Sequence, residues 1–148
     1  MLVASLVLAA AAGAPPAPVC VAPDGGRLQL ELALTEREKR AGLMYRDTLP
    51  ADRGMLFPFD VDGVFSFHMR NTLFPLDIVW LDASGTVADV MPDAPPCRSA
   101  PCPMFKNARK ARAVLLVNAG YARAHGLVPG APLRFEGVPG FPVGPVPK

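Results

Sequence analysis

The chain lacks most of the groups on which familiar enzyme chemistry rests. Its 148 residues contain two histidines, His68 and His125. No Gly-x-Ser-x-Gly, glycine-rich phosphate loop or His-x-x-x-His spacing occurs. The common nucleophile–base, phosphate-cradling and helical metal-site patterns are therefore missing. An excess of one charge is missing too: 15 Lys and Arg against 13 Asp and Glu give a net charge of +2. That is too mild for a nucleic-acid surface, so no nucleic-acid partner is expected. Cysteine is sparse, at three residues, and asparagine is equally rare: Asn71, Asn107 and Asn118. Long apolar runs are confined to Met1–Ala14, which falls short of the ~20 residues a membrane-spanning helix needs.

What is present points to a small exported β-rich domain. Hydrophobic residues make up 51% and charged residues 19% of the chain, enough for one packed core and too apolar for disorder. The 18 Pro and 13 Gly, about a fifth of the chain, favour many short elements joined by turns over long helices. Met1–Ala14 ends in small residues followed by Pro15, Pro16 and Pro18, the shape of a signal-peptide apolar region without a basic start. Residues 1–19 are therefore read as a signal peptide, 20–136 as one domain, and the Pro/Gly-rich 137–148 as a disordered tail. The expected location is periplasmic or secreted, with no transmembrane segment in the mature chain. Lipidation of Cys20 is a second route, but Ala17-Pro18-Val19 before it is a poor lipobox. Cys97 and Cys102 lie in PPCRSAPCP, and a disulfide there is the default in an oxidising compartment.

Local patterns give the elements. Leu28, Leu30, Leu32 and Leu34 alternate with Arg27, Gln29, Glu31 and Ala33, which predicts a half-buried strand. Thr35 with Glu38 makes a capping box for a short charged helix ending near Gly42. MLFPF (55–59) reads as a short strand with Pro58 near its end, hence an edge or a bend. In VFSFHMRN (64–71), Val64, Ser66, His68 and Arg70 face one way, and Phe65, Phe67, Met69 and Asn71 the other. Leu76–Leu81 and 86–90 form a hairpin around Asp82–Gly85. AVLLVN (113–118) reads as a fully buried strand, followed by a short helix capped by Asn118 and stopped by Gly126. Leu133–Glu136 closes the set. The expected class is mainly β (α+β): a compact sandwich or partly closed barrel of about seven short strands with two short helices.

These motifs, in this order, resemble a known family. GLMYR, GMLF, FHMRNT, PLDIVWLD, the PCRSAPC loop and VLLVNAGYARAHGLVPG are similar to the bacterial and archaeal family called domain of unknown function 192, over roughly residues 28–136. His68 stands where the family usually has an aromatic residue, and Arg70 where it usually has Lys. The resemblance implies a β-rich domain, often exported, with no established activity.

Candidate chemistry centres on Asp77, a carboxylate at the mouth of an otherwise apolar strand. A buried carboxylate needs partners. Arg46, Arg53 and Arg70 are possible partners and the Asn71–Thr72 turn supplies donors; Arg46, Asn71, Thr72 and Asp77 form the candidate binding site. The alternative is a purely structural network. The function expected is a non-catalytic binding or accessory protein whose partner is a small molecule or an exported protein, with no cofactor and no metal. Two other readings stay open. One is a hydrolase or transferase using Asp77. The other is a Cu(I) carrier using Met44, Met55, Met69, Met91 and Met104 with His68, although thioethers among Leu and Phe more often fill a core.

Overall fold

The structure is a computed structural model and describes residues 16–144. Seven strands form one sheet: β1 (Val19–Val21), β2 (Arg27–Leu32), β3 (Arg53–Gly63), β4 (Leu76–Leu81), β5 (Val87–Ala94), β6 (Ala111–Asn118) and β7 (Arg134–Glu136). Helices α1 (Glu36–Ala41) and α2 (Tyr121–His125) complete the fold. Across the sheet the order is β5-β4-β6-β3-β2-β1-β7. Only β2 and β3 run parallel, and α1 lies in their crossover; every other pair is antiparallel. The sheet curls into a half-barrel, the mainly β class expected from the alternation of apolar residues.

Each face of the sheet carries its own apolar cluster. Strand β4 is buried along its whole length because it sits between β5 and β6 with both faces covered. Its alternation sorts the side chains: Val79 and Leu81 join Leu28, Leu56, Leu115 and Leu133 on one face. Leu76, Ile78 and Trp80 join Phe57, Val114 and Leu116 on the other. The first face is closed by α2 and by the segment after β7. Residues 137–148, expected to be disordered, depart from that expectation over 137–144. Phe141 is buried and meets Phe135 edge-on at 5.0 Å, and the Val143 N–H donates to the Ala83 carbonyl at 2.7 Å.

Several boundaries differ from the sequence reading, each for a local reason. β1 was not legible: three residues beside Pro18 carry too little pattern, yet they pair with both β2 and β7. β3 extends to Gly63 and lies inside the sheet, not at its edge, while its register with β6 shifts after Pro58, in keeping with a bend there. Pro58 is tolerated because the parallel pairing with β2 stops at Leu56, leaving β3 with β6 alone on its flank. The helix α1 has the expected capping box, with Glu38 N–H to Thr35 Oγ1 at 3.1 Å and Thr35 N–H to Glu38 Oε1 at 3.0 Å. Asn118 does not cap α2. Its Nδ2 donates instead to the Leu49 carbonyl at 2.8 Å, and the cap position is Gly120.

Residues 64–71 form no named strand. Their in–out alternation is as expected: Met69 is buried, Phe65 and Phe67 are half-buried, and Val64, Ser66, His68 and Arg70 are exposed. The segment is extended, but its neighbour is the proline-rich loop 95–105. It makes only isolated bridges there, Phe67 with Phe105 and Arg70 with Cys97. Prolines 101 and 103 offer no N–H to extend a ladder.

Candidate functional site

The second face of the sheet is not fully closed. A cavity of about 600 Å³ opens there, between the sheet, α1 with the turn after it, and the extended segment 64–72. Phe57, Leu76, Ile78 and Leu116 supply its floor from β3, β4 and β6. Leu43 and Met44 form one side, and Phe65, Phe67 and Met69 the other. Aromatic contacts shape these walls. Phe59 stacks on Phe65 with ring centroids 3.8 Å apart, and Phe57 meets Phe67 edge-on at 5.1 Å.

A wall without a strand ladder must be held by other means. The Phe67 and Phe105 backbones exchange N–H···O bonds, both at 2.7 Å. Cys97 donates its N–H to the Met69 carbonyl and accepts from the Asn71 N–H, each at 3.1 Å. The Cys97–Cys102 disulfide, expected from the sequence, closes the loop that makes these contacts; the two Cα atoms are 5.8 Å apart. Asn107 is buried and pins the start of the wall. Its Oδ1 accepts from the Phe65 N–H at 2.8 Å, and its Nδ2 donates to the Gly63 carbonyl at 3.0 Å. Sequence reasoning missed Asn107; its rarity was the only available signal. Trp80, beneath the wall, donates its indole N–H to the Phe65 carbonyl at 2.8 Å.

The four residues expected to converge are split. Asn71 and Thr72 border the cavity. Asn71 takes a left-handed conformation with φ of 58°, and its Nδ2 donates to the Tyr45 hydroxyl at 2.9 Å. Arg46 lies after α1 but forms an ion pair with Glu31 at 2.6 Å, not with Asp77. Asp77 is buried on the opposite face from the cavity, because it alternates with Leu76 and Ile78 on β4. Its carboxylate accepts three backbone N–H bonds: from Asp93 at 2.8 Å, Gly120 at 3.1 Å and Ala122 at 2.9 Å. It ties β5 and the start of α2 to β4. The expected Asp77–Arg46 and Asp77–Asn71 contacts are thus replaced by an anchor of backbone donors distant in sequence.

The rim of the cavity is polar and mainly cationic. Lys39, Arg40 and Arg70 border it with one carboxylate, Glu36, and with His68. Lys39 Nζ lies 4.5 Å above the Phe59 ring. Neither Arg40 nor Arg70 takes part in an ion pair among the described residues. Of the expected copper ligands, Met44, Met69 and His68 border the cavity, Met55 and Met91 pack in the same apolar cluster as Met69, and Met104 is exposed. Among the described residues, no group of three or more His, Cys, Asp and Glu side chains is placed to hold a metal ion.

Two further groups lie on the other face. Burial pushes the Cys20 thiol up to about 12. His125 Nδ1 sits 2.8 Å from Asp24 Oδ2, and its ring stacks on Tyr121 at 4.2 Å. The Gly26 N–H and then His125 hold the Asp24 carboxyl below the usual range. Neither group borders the cavity.

Comparison with known proteins adds family and fold. The profile of DUF192, described as Uncharacterized ACR, matches residues 19–135. No protein of curated function matches the chain. The fold is similar to that of a candidate transcription regulator from Sinorhizobium meliloti 1021, with 29% identity and a TM-score of 0.72, covering 85% of this chain and 99% of that one. It is also similar to a protein of unknown function from Novosphingobium aromaticivorans DSM 12444, with 29% identity and a TM-score of 0.72, covering 83% and 94%.

Proposed function

Since the chain belongs to the DUF192 family, in which the fold carries no assigned activity, we propose from its geometry that it is a non-catalytic binding protein. It would take a small molecule with an apolar body into the cavity beside Asn71 and Thr72. The observation that carries this reading is the cavity itself: about 600 Å³, floored by Phe57, Leu76, Ile78 and Leu116 and open on one side. Its size falls within the ~300–1,000 Å³ typical of small-molecule pockets. A domain of this size would ordinarily fill such a space with its own side chains. Arg46 and Asp77 belong to the support of the fold in this reading.

The same geometry speaks against the two other readings. A hydrolase using Asp77 needs that carboxylate free to take a proton from water, yet three backbone donors already occupy it. For a Cu(I) site, exposed Met104 stands apart, and Met55, Met69 and Met91 pack in one apolar cluster among Leu and Phe side chains, where thioethers serve to fill a core. Export, to the periplasm or beyond, is part of the proposal. It is supported by the Cys97–Cys102 disulfide and by the apolar run of residues 1–14, most of a signal segment that lies outside the described residues. No helix among the described residues is long and apolar enough to cross a membrane.

The test is titration with the neutral dye N-phenyl-1-naphthylamine. The expected result is saturable enhancement of emission at one site per chain, reversed by dodecanol. Absence of saturable binding would refute the proposal.

A further inference from the structure

The cavity has an apolar interior and a charged rim of one dominant sign. Its interior is aromatic and aliphatic: the stacked Phe59–Phe65 pair, the Phe57–Phe67 edge contact, and Leu76 with Ile78 beneath them. Such surfaces bind hydrocarbon or ring systems through exclusion of water, without reading polar groups. The rim differs. Three permanent cations, Lys39, Arg40 and Arg70, face one carboxylate, Glu36. Arg40 and Arg70 have no ion-pair partner among the described residues, whereas the nearby Arg46 is taken by Glu31. Two guanidinium groups at the edge of an apolar opening can engage an anionic head group while its chain lies inside.

We infer that the occupant of this cavity is an amphipathic monoanion of the fatty-acid type, its apolar body against the phenylalanine walls and its carboxylate at the Arg40–Arg70 rim. This deepens the binding-protein reading above and rests on it. An uncharged ligand of the same shape would leave the guanidinium groups solvated and gain nothing from them. A cationic one would meet three like charges. An anionic head group gains charge-assisted hydrogen bonds to donors that are already beside the opening. Because these cations are exposed, the preference weakens as salt rises.

The experiment compares three ligands sharing one twelve-carbon chain: dodecanoate, dodecanol and dodecyltrimethylammonium. Each competes with N-phenyl-1-naphthylamine at low ionic strength and below its micellar concentration. The expected order is dodecanoate tighter than dodecanol by about tenfold, the size of effect a charge-assisted contact produces, with the cationic ligand weakest. In the Arg40→Gln, Arg70→Gln double variant, dodecanoate falls to the affinity of dodecanol while dodecanol is unchanged and the melting temperature is held. Dodecanoate binding no tighter than dodecanol, or an advantage that survives the double variant, would overturn the anion assignment and leave the cavity reading standing. Failure of all three ligands and of the dye would remove both.

Discussion

Asp77 shows how a buried polar residue can be legible in position and opaque in role. Its burial follows from the apolar strand around it, and burial of a carboxylate demands partners. The partners are backbone N–H groups of Asp93, Gly120 and Ala122, and no side-chain pattern announces backbone donors. The same holds for Asn118, whose side chain serves the carbonyls of Leu49 and Pro50 rather than the adjacent helix. Asp77→Asn replaces one accepting oxygen by a donor and leaves a buried N–H without a partner. Its expected cost is about 1–3 kcal/mol in denaturant unfolding, with dye binding retained by the folded fraction. Met69 is buried in the cavity-side cluster, with Phe65 and Phe67 packed against it. Met69→Ala should cost ~2–5 kcal/mol by the same measurement. Cys20 sets a pH dependence. Its thiol shifts from an ordinary 9.0 up to about 12 on folding, so the folded state favours the protonated form. That contribution is intact below pH 9 and is lost as pH rises towards 12. Cys20→Ala should flatten part of this alkaline decline in melting temperature, the remainder following Tyr121, whose hydroxyl is also pushed up to about 12 by burial.

At the scale of elements, the informative case is the segment 64–71. Its period-two pattern was correct about which side chains turn inward, and those are the side chains that wall the cavity. Alternation states the pleat of a chain; it does not state whether another strand lies beside it. Here the neighbour is a proline-rich loop, so beyond the Asn107 and Trp80 bonds at its start the wall depends on a few bonds to Cys97 and Phe105. The disulfide acts through that loop. In the Cys97→Ser, Cys102→Ser double variant, loss of a short covalent ring should lower stability by roughly 2 kcal/mol. The wall should loosen beyond that global effect, with dye affinity falling several-fold under conditions where the fold remains intact. Equal affinity in the two proteins would show that the wall stands without the crosslink.

On the scale of the whole molecule, the two faces of the sheet are finished differently. One is sealed by α2 and by Phe141 from the segment after β7; the other is left open beside α1. The apolar run 113–118 of β6 indicated that both faces are covered, and the alternating leucines of β2 indicated a half-wet sheet end. Fold class was therefore readable from periodicity, with the family motifs in agreement. The incomplete cover on one face was not readable, because it depends on how far a loop falls short of filling a volume. Asn71 and Thr72 entered the candidate site as presumed partners of Asp77. They belong to the cavity border for another reason: they end the wall segment where its chain turns back into β4. The most direct test is methionine-methyl NMR during titration with dodecanoate. Binding in the cavity predicts large shifts for Met44 and Met69, which border it, and none for exposed Met104. Unchanged Met44 and Met69 signals at saturating ligand, or shifts centred on Met104, would contradict it.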